Sequence, residues 1–589
     1  MFLRCSSRKK NGKEHSYWSI VENKRCAGGK IVQRHVLYLG EINDQQQAAW
    51  QKSIEVFETG QSKPHTVALF PADRVVESAD AEVVRIKLSE LQLRHPRQWG
   101  ACWLACHLYE ELQLDGFWAQ RLKPGSKGTR WDLVLQTLCA YRLIDPGSEW
   151  RLHRQWFESS AMADLLGADF AELAEAHKLY SCHDLILEHK RALFYHLTER
   201  WNDLFNAKFD VLLYDLTSTY FESDPPFPEG DKRKHGYSRD KRSDCVQVVI
   251  ALIVTPEGFP LAYDVMAGNT SDKATLKGFL EKIENQYGKA QRIWVMDRGI
   301  PTEETLQQMR QSDPPVLYLV GTPKGRLTQL EERLRELPWK EAREGVEVKL
   351  IAEAGEVYVL AKSKDRVNKE RAMRRGQLKR LWKRLHELQK MDLKRDALLM
   401  KLGAARQEAP SAWRLVEIKL PEKKKTKWEF SLRKEKLRQV RRREGRYLLR
   451  SNMTGRPEEE LWKFYMQLAE VEQAFKHLKS DLVLRPIHHQ KQARIEAHIF
   501  VAFLAYCLQV TLTRRLKDLA PGLTARSVLE KMAGMQMIDV HLPTTDGREV
   551  ILTRYTQPET EQRLLLEKLK LTLPEQPPPK ITAKGVATA

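Results

Sequence analysis

Val211-Leu212-Leu213-Tyr214-Asp215 and Ile293-Trp294-Val295-Met296-Asp297 are two short apolar runs, each closed by a carboxylate. A run of four apolar residues bounded by polar ones reads as a strand buried on both faces. A carboxylate ending such a strand sits at the sheet edge, where open α/β sheets place their ligands. Between the two runs, Cys245 to Thr255 is a second strand, Pro256-Glu257-Gly258 is a turn, and Phe259 to Met266 is a third strand. Lys273 to Tyr287 has helical spacing. A further helix, capped by Thr302 with Glu304 near it, runs to Gln311, and Val316 to Val320 makes a fifth strand. Three antiparallel strands followed by helix, strand, helix and strand is the order of an α/β, ribonuclease H-like core that still lacks its last helix.

That helix is expected after an interruption of more than a hundred residues. Pro457-Glu458-Glu459-Glu460 is a helix start, with acidic side chains at the positive end of the helix dipole. From there Tyr465, Leu468, Glu472, Phe475 and Lys479 recur at spacings of three and four, which places them on one face. Packing accounts for Leu468 and Phe475. It does not account for Glu472 and Lys479 on the same core-directed face, because an unpaired buried charge is costly. Coordination of a metal would give Glu472 its partner. Asp215, Asp297 and Glu472 together offer the oxygen ligands that hard divalent cations prefer. A pair of such ions activates an attacking oxygen and stabilises a leaving one on a phosphate. The partner helix is expected from Ala493 to Lys517.

The chain carries a net charge of +20 over 589 residues. Residues 361 to 450 hold 31 Lys and Arg against 11 Asp and Glu, so this segment contains the whole excess. A segment of that kind points to a polyanionic partner, because neutralising phosphates releases counterions. Its basic clusters Lys423-Lys424-Lys425 and Arg441-Arg442-Arg443 are the candidate phosphate contacts. The segment also contains strand-like runs at Val346 to Ala352 and Val357 to Ala361, a basic helix from Asn368 to Leu402, and a β-like piece from Trp413 to Leu420. It reads as a β-rich basic insertion.

A chain of this length exceeds one hydrophobic core. Tyr17 to Val21 and Ile31 to Leu39, broken at Gly28-Gly29, give a β-hairpin in a region spanning 1–60. Helical periodicity from Val83 to Asn206 makes 61–207 a helical domain. The core follows in two parts, 208–324 and 456–530, around an insertion at 325–455. Residues 531–589 form a C-terminal region whose tail after Leu571, with Pro577-Pro578-Pro579, is expected to be disordered. The eight cysteines are scattered, as befits reduced thiols. Cys102, Cys106 and His107 read as a helix core face rather than a metal site. His477 and His498 read as helix-packing histidines. No secretory signal is evident, and the most apolar stretch, Ile499 to Val510, is short for a membrane span. No nucleotide-phosphate loop occurs.

The spacing Tyr465-(2)-Leu468-(3)-Glu472-(6)-Lys479 resembles the Tyr-(2)-Arg-(3)-Glu-(6)-Lys signature of the bacterial insertion-sequence-four DDE transposases. The neighbouring text agrees: Val471 to Ser480, Leu484-Arg485-Pro486-Ile487-His488-His489, and Arg494-Ile495-Glu496-Ala497-His498-Ile499. Tyr214-Asp215-Leu216-Thr217-Ser218-Thr219 and Met296-Asp297-Arg298-Gly299 resemble the family's two aspartate blocks. Gly236-Tyr237-Ser238-Arg239-Asp240 and Gly268-Asn269-Thr270-Ser271-Asp272 resemble its internal motifs. The likeness covers roughly Asp210 to Gln509. The signature Arg is Leu468 here.

The resemblance implies a ribonuclease H-like (retroviral integrase-like) catalytic core. It implies an insertion-sequence transposase that cleaves and joins DNA strands at terminal inverted repeats, with the helical domain 61–207 as the DNA-binding domain that would recognise those repeats. Asp215, Asp297 and Glu472 would bind two Mg²⁺ ions, with Mn²⁺ as a substitute, Lys479 would hold a phosphate, and Tyr465 would position DNA. The expected partners are double-stranded DNA and a second copy of the chain in a synaptic dimer. No membrane or nucleotide cofactor is expected, and the expected location is the bacterial cytoplasm, in association with the nucleoid. A nuclease that cuts without joining, and a catalytically silent DNA-binding protein, are the alternatives.

Overall fold

The computed structural model describes residues 2–10, 13–25, 31–40 and 85–582, except 126–127, 224, 241, 289–290, 323–325, 327–329, 331–332, 335, 392, 421–427, 486 and 546. The chain divides into two compact units. The first comprises Met1–Ser6, Ser16–Lys289 and Ala469–Ala589, and the second Ser7–His15 and Ala290–Leu468.

In the first unit, strands Val211–Phe221, Val246–Val254 and Pro260–Ala267 pair antiparallel in that order. Every residue of Val246–Val254 is buried, as a central strand that is apolar but for Gln247 requires, and the Gln247 amide is satisfied by the carbonyls of Tyr237 and Gly268. The turn into the third strand depends on Gly258, whose φ of +92° favours a residue without a Cβ. The Gly258 N–H donates to the Thr255 carbonyl at 2.9 Å, and the Tyr506 hydroxyl donates to the Gly258 carbonyl at 2.7 Å.

Tyr506 belongs to the 28-residue helix Gln492–Leu519. Among the described residues it alone is long and apolar enough to cross a membrane, yet 94% of its most apolar window is buried within the protein. It is a core helix, and it matches the partner helix expected from Ala493 to Lys517 to within two residues at each end. Gly100–Glu111, Trp131–Ile144 and Ala176–Ile186 pack around it. Leu504, Leu508 and Leu512 are buried there at 0–1% exposure, so they are spent within this chain.

Two expectations fail in this unit. The region read as helical from Val83 opens with a short 3-10 turn, Leu88–Glu90, and then a strand, Gln92–Gln98, which pairs with Gln536–Pro543. Its sequence lacks apolar alternation. The strand is fixed instead by long-range partners, with Arg97 donating to Asp164 at 2.6 Å and to Asp539 at 3.1 Å. The tail expected to be disordered is built into the same four-stranded sheet through Lys580–Thr582, which pairs with Glu549–Tyr555. Ahead of it, the Gln576 side chain accepts from and donates to the Tyr555 backbone, at 3.1 and 2.9 Å. Residues 583–589 lie outside the described residues. At the N-terminus, Lys13–Arg25 and Ile31–Gly40 form the expected hairpin, and Phe2–Lys10 adds a third strand.

In the second unit, Ile293–Met296 and Leu317–Gly321 pair in parallel, joined through helix Glu303–Gln311. Thr302 caps that helix, its hydroxyl accepting from the Thr305 N–H at 3.1 Å. The insertion continues this sheet. Arg446–Ser451 pairs with Leu317–Gly321, then Glu356–Ser363, Val346–Glu353 and Lys340–Arg343 follow, all antiparallel. Between Ser363 and Arg446 the insertion is chiefly helical rather than β-rich. Helices Lys364–Lys390, Arg395–Glu408 and Lys434–Arg443 accompany one small hairpin of four-residue strands. The basic helix expected from Asn368 to Leu402 is two helices. Leu381, Leu385 and Leu388 of the first bury against Leu402, Ala405, Ala412 and Trp428.

Candidate functional site

Asp215 is the fifth residue of the eleven in Val211–Phe221, not its end. The strand runs on because Thr217, Ser218 and Thr219 are buried by pairing with Ile250, Val249 and Val248. Side chains alternate along it. Tyr214 is buried, its hydroxyl donating to Thr275 Oγ1 at 2.7 Å, and Asp215 points to the opposite face, half-buried.

Asp297 is the first residue beyond strand Ile293–Met296 and is exposed. Its own turn holds it: the Arg298 N–H donates to Asp297 Oδ1 at 2.7 Å, and the Ile300 N–H donates to the Asp297 carbonyl at 3.2 Å. The same unit brings Tyr465 near Asp297. Burial pushes the Tyr465 hydroxyl well above the usual phenol range, and the Asp297 carboxylate adds to that shift. The hydroxyl also lies against Gly321, where an added Cβ would come within 2.6 Å of it.

The face expected to carry Tyr465 to Lys479 is not one helix. Helix Glu458–Met466 ends, Leu468–Lys476 begins after Gln467, and His477–Asp481 is a π-turn closed by the Leu482 N–H donating to the His477 carbonyl at 2.9 Å. Leu468 and Phe475 are buried, as packing residues should be. Glu472 is exposed, contrary to the core-facing position expected of it, because its helix buries Val471, Ala474 and Phe475 instead. Solvent therefore satisfies its charge, and burial supplies no argument for a metal there.

Lys479 is largely buried, and its ammonium meets Asp240, with Nζ 3.1 and 3.3 Å from the carboxylate oxygens. Arg485 Nη1 reaches the same carboxylate at 2.9 Å. Burial lowers the Lys479 pKa against the attraction of Asp240. The π-turn that aims Lys479 is pinned by His477, which bonds to Asp481, and by Gln509 Nε2, 2.9 Å from His477 Nδ1. The pairing of Asp240 with Arg485 was not anticipated from sequence, although both residues lie in the motifs quoted above.

Of the basic candidates, Arg441, Arg442 and Arg443 are exposed in helix Lys434–Arg443, and Lys423, Lys424 and Lys425 lie outside the described residues. Part of the segment's charge is structural. Arg450 donates to Glu303 at 2.6 Å and to Glu356 at 2.7 Å, and Arg374 pairs with buried Glu444.

A buried cluster was also missed. Glu149, His489 and His498 bring ligand-type atoms within 4.8 Å of one another. Oε1 of Glu149 lies 3.1 Å from His183 Nε2, 3.3 Å from His489 Nε2 and 3.1 Å from His498 Nδ1. Arg142, also buried, has Nη2 3.9 Å from that oxygen. One carboxylate balances one guanidinium, so a dication there would leave two uncompensated charges in a dry core. The cluster is an ion pair clamped by three imidazoles. Its members are scattered between residues 142 and 498, which hid it from any local pattern.

The Transposase DDE domain family matches residues 207–508, half of the chain, and the N-terminal domain of the IS1634 family transposases matches residues 3–59. No curated protein matches the sequence. Among solved structures, the chain is similar to piggyBac transposase in a synaptic complex with hairpin DNA. That likeness has 9% identity and a TM-score of 0.34, over 75% of this chain and 82% of that one, so the assignment rests on the sequence matches. The chain belongs to the DDE transposases of insertion sequences, DNA transposases of the polynucleotidyl-transferase type.

Proposed function

We propose that Asp215, Asp297 and Glu472 are the three catalytic carboxylates and the ligands of two Mg²⁺ ions, with Mn²⁺ able to substitute. The observation that carries this reading is that all three lie, in order, within the span matched by the Transposase DDE domain. Their chemistry fits: each offers carboxylate oxygens, the donors hard divalent cations select. Asp297 and Glu472 are solvent-exposed, and Asp215 is half-buried. Asp215, Asp297 and Glu472 would hold the divalent ions, whose chemistry there would be to activate the attacking oxygen and stabilise the leaving one in in-line phosphoryl transfer.

The remaining residues bind and orient DNA on a ribonuclease H-like core. Lys479 holds a phosphate of the transposon end, and Tyr465 positions DNA beside Asp297. The helical region ahead of Asp210 recognises terminal inverted repeats. The basic insertion, through Lys423, Lys424, Lys425, Arg441, Arg442 and Arg443, grips backbone phosphate. Transesterification conserves the phosphodiester bond, so no nucleotide is consumed. The enzyme acts on bacterial DNA in the cytoplasm, as a homodimer on paired ends. The pairing surface is not the Leu504, Leu508 and Leu512 face, which is buried within one chain.

The test is strand cleavage of a duplex carrying the DNA that borders the gene. Asp215→Asn, Asp297→Asn and Glu472→Gln are each expected to abolish cleavage in Mg²⁺ or Mn²⁺ while retaining DNA binding. Cleavage by Glu472→Gln at the wild-type rate would overturn the assignment. Joining of the cut 3′ end to a second duplex separates a transposase from a nuclease.

A further inference from the structure

Asp240 lies between two cations. Its carboxylate accepts from Lys479 at 3.1 and 3.3 Å and stands 2.9 Å from Arg485 Nη1. The turn that carries it is anchored to the sheet. Gln247 Nε2 donates to the carbonyls of Tyr237 and Gly268, both at 3.0 Å, and the Arg239 N–H donates to Ser218 Oγ at 3.4 Å. Only glycine fits at its start, because a Cβ on Gly236 would fall 2.0 Å from the Gly268 carbonyl oxygen.

The electrostatics leave an excess cation. Lys479, Arg485 and Arg239 face Asp240 and Asp272, and Arg239 is already paired with Asp272 at 2.6 Å. One carboxylate therefore serves two cations, a lysine and a forked guanidinium, which is the donor set that binds a phosphate. The Arg485 guanidinium also lies 4.9 Å over the Tyr220 ring, which orients its fork. On the same turn, three residues before Asp240, Tyr237 is 83% exposed, an aromatic surface left to solvent. Exposed aromatics next to a cationic groove are a means of holding unpaired nucleotides.

We propose that Arg485 is a second phosphate-binding residue alongside Lys479, and that Asp240 is an internal stand-in for the DNA phosphate, occupying both cations until DNA displaces it. This inference rests on the transposase reading above. It also supplies a cation in a protein whose signature arginine is Leu468, which is buried. Asp240 would act as a gate: DNA binding must break two charge-assisted contacts, and weak, non-specific duplexes gain too little to do so.

The test is fluorescence anisotropy of the full chain with a labelled duplex from the DNA bordering the gene, in Ca²⁺ and across a salt series. A scrambled duplex runs in parallel. Arg485→Gln and Lys479→Gln are each expected to lower the salt slope by about 0.9, as loss of one phosphate contact does, and to weaken binding about tenfold. Asp240→Asn is expected to tighten binding to both duplexes about tenfold and to narrow the difference between them. Arg485→Lys, which keeps the charge but not the fork, should retain the slope with weaker binding. An unchanged slope in Arg485→Gln, or weaker binding by Asp240→Asn at an unchanged melting temperature, overturns the proposal. Failure of the wild-type protein to bind either duplex would instead sink the underlying transposase reading.

Discussion

His498 Nδ1 lies 3.1 Å from Oε1 of Glu149, and both side chains are buried. Burial lowers the His498 pKa to about 3, and the Arg142 guanidinium pushes the same way, against the attraction of Glu149. Burial also lowers the pKa of His183, the second imidazole on that oxygen. His489 and Tyr180 complete the surroundings. An imidazole in the unfolded chain titrates near about 6.5, so below that pH the unfolded chain takes up protons that folded His498 refuses. Stability present above about pH 6.5 is therefore lost as pH falls, by up to about 1.4 kcal/mol per pH unit for this group. Glu149 acts in the same sense at lower pH. Burial raises its pKa, but hydrogen bonds from His183, His489 and His498 hold it well below the carboxylate range. Denaturant midpoints at pH 7.5, 6.5 and 5.5 should fall steeply for the wild type and less for His498→Gln. Parallel curves would show that His498 is not held neutral.

Arg142 is the charge that makes this cluster neutral. It also donates to the Val483 carbonyl at 3.2 Å, tying the helix Trp131–Ile144 to the chain just beyond Lys479. Arg142→Ala leaves Glu149 buried without its guanidinium, which costs about 3–5 kcal/mol. Exposed Arg154 serves as the control, and Arg154→Ala should cost less than about 0.5 kcal/mol. Equal effects in chemical denaturation would mean that Glu149 is not an ion-pair partner.

Tyr465 and Gly321 should behave as one site. An alanine at 321 would place its Cβ 2.6 Å from the Tyr465 hydroxyl, and a ring packed in a half-buried site cannot withdraw freely. Gly321→Ala is expected to displace the hydroxyl from beside Asp297, while Tyr465→Phe removes it. If Tyr465 positions DNA, both variants should cut about tenfold more slowly, the scale of one lost hydrogen bond, and the double variant should be no slower than either. Additive losses in single-turnover cleavage would separate the two residues.

The strands that a sequence reader finds are those whose own residues bury them. Val246–Val254 is apolar at every position but Gln247, and its boundaries were legible to within one residue. Val211–Phe221 was cut short at Asp215 because Thr217, Ser218 and Thr219 look like a loop until pairing buries them. Gln92–Gln98 carries no strand signal of its own, and its partner lies more than four hundred residues away. The same limit applies at the candidate site. Regular spacing placed Glu472 on the packed face, but the break at Gln467 and the π-turn after Lys476 shift the helical phase. Local motif text singled out Asp297 and Lys479 as candidates. It could not show that Lys479 already has Asp240 as its partner.

The basic insertion contains two kinds of arginine, and they should fail differently. Arg441, Arg442 and Arg443 end an exposed helix, where three cations also face the negative end of the helix dipole. Arg450 instead joins Glu303 and Glu356 across neighbouring elements; burial lowers its pKa, but the bonds to these two carboxylates outweigh burial and raise it. Replacing Arg441, Arg442 and Arg443 together with Gln should leave the melting temperature nearly unchanged. It should flatten the salt dependence of DNA binding by about 0.9 per phosphate lost, equally for specific and scrambled duplexes. Arg450→Gln should do the reverse: it leaves Glu356 buried and short of a partner, so the protein melts earlier while the salt slope of the folded fraction is retained. A triple variant that melts early, or an Arg450→Gln protein of normal stability with a flattened slope, would mean that the charge of this segment has been assigned to the wrong residues.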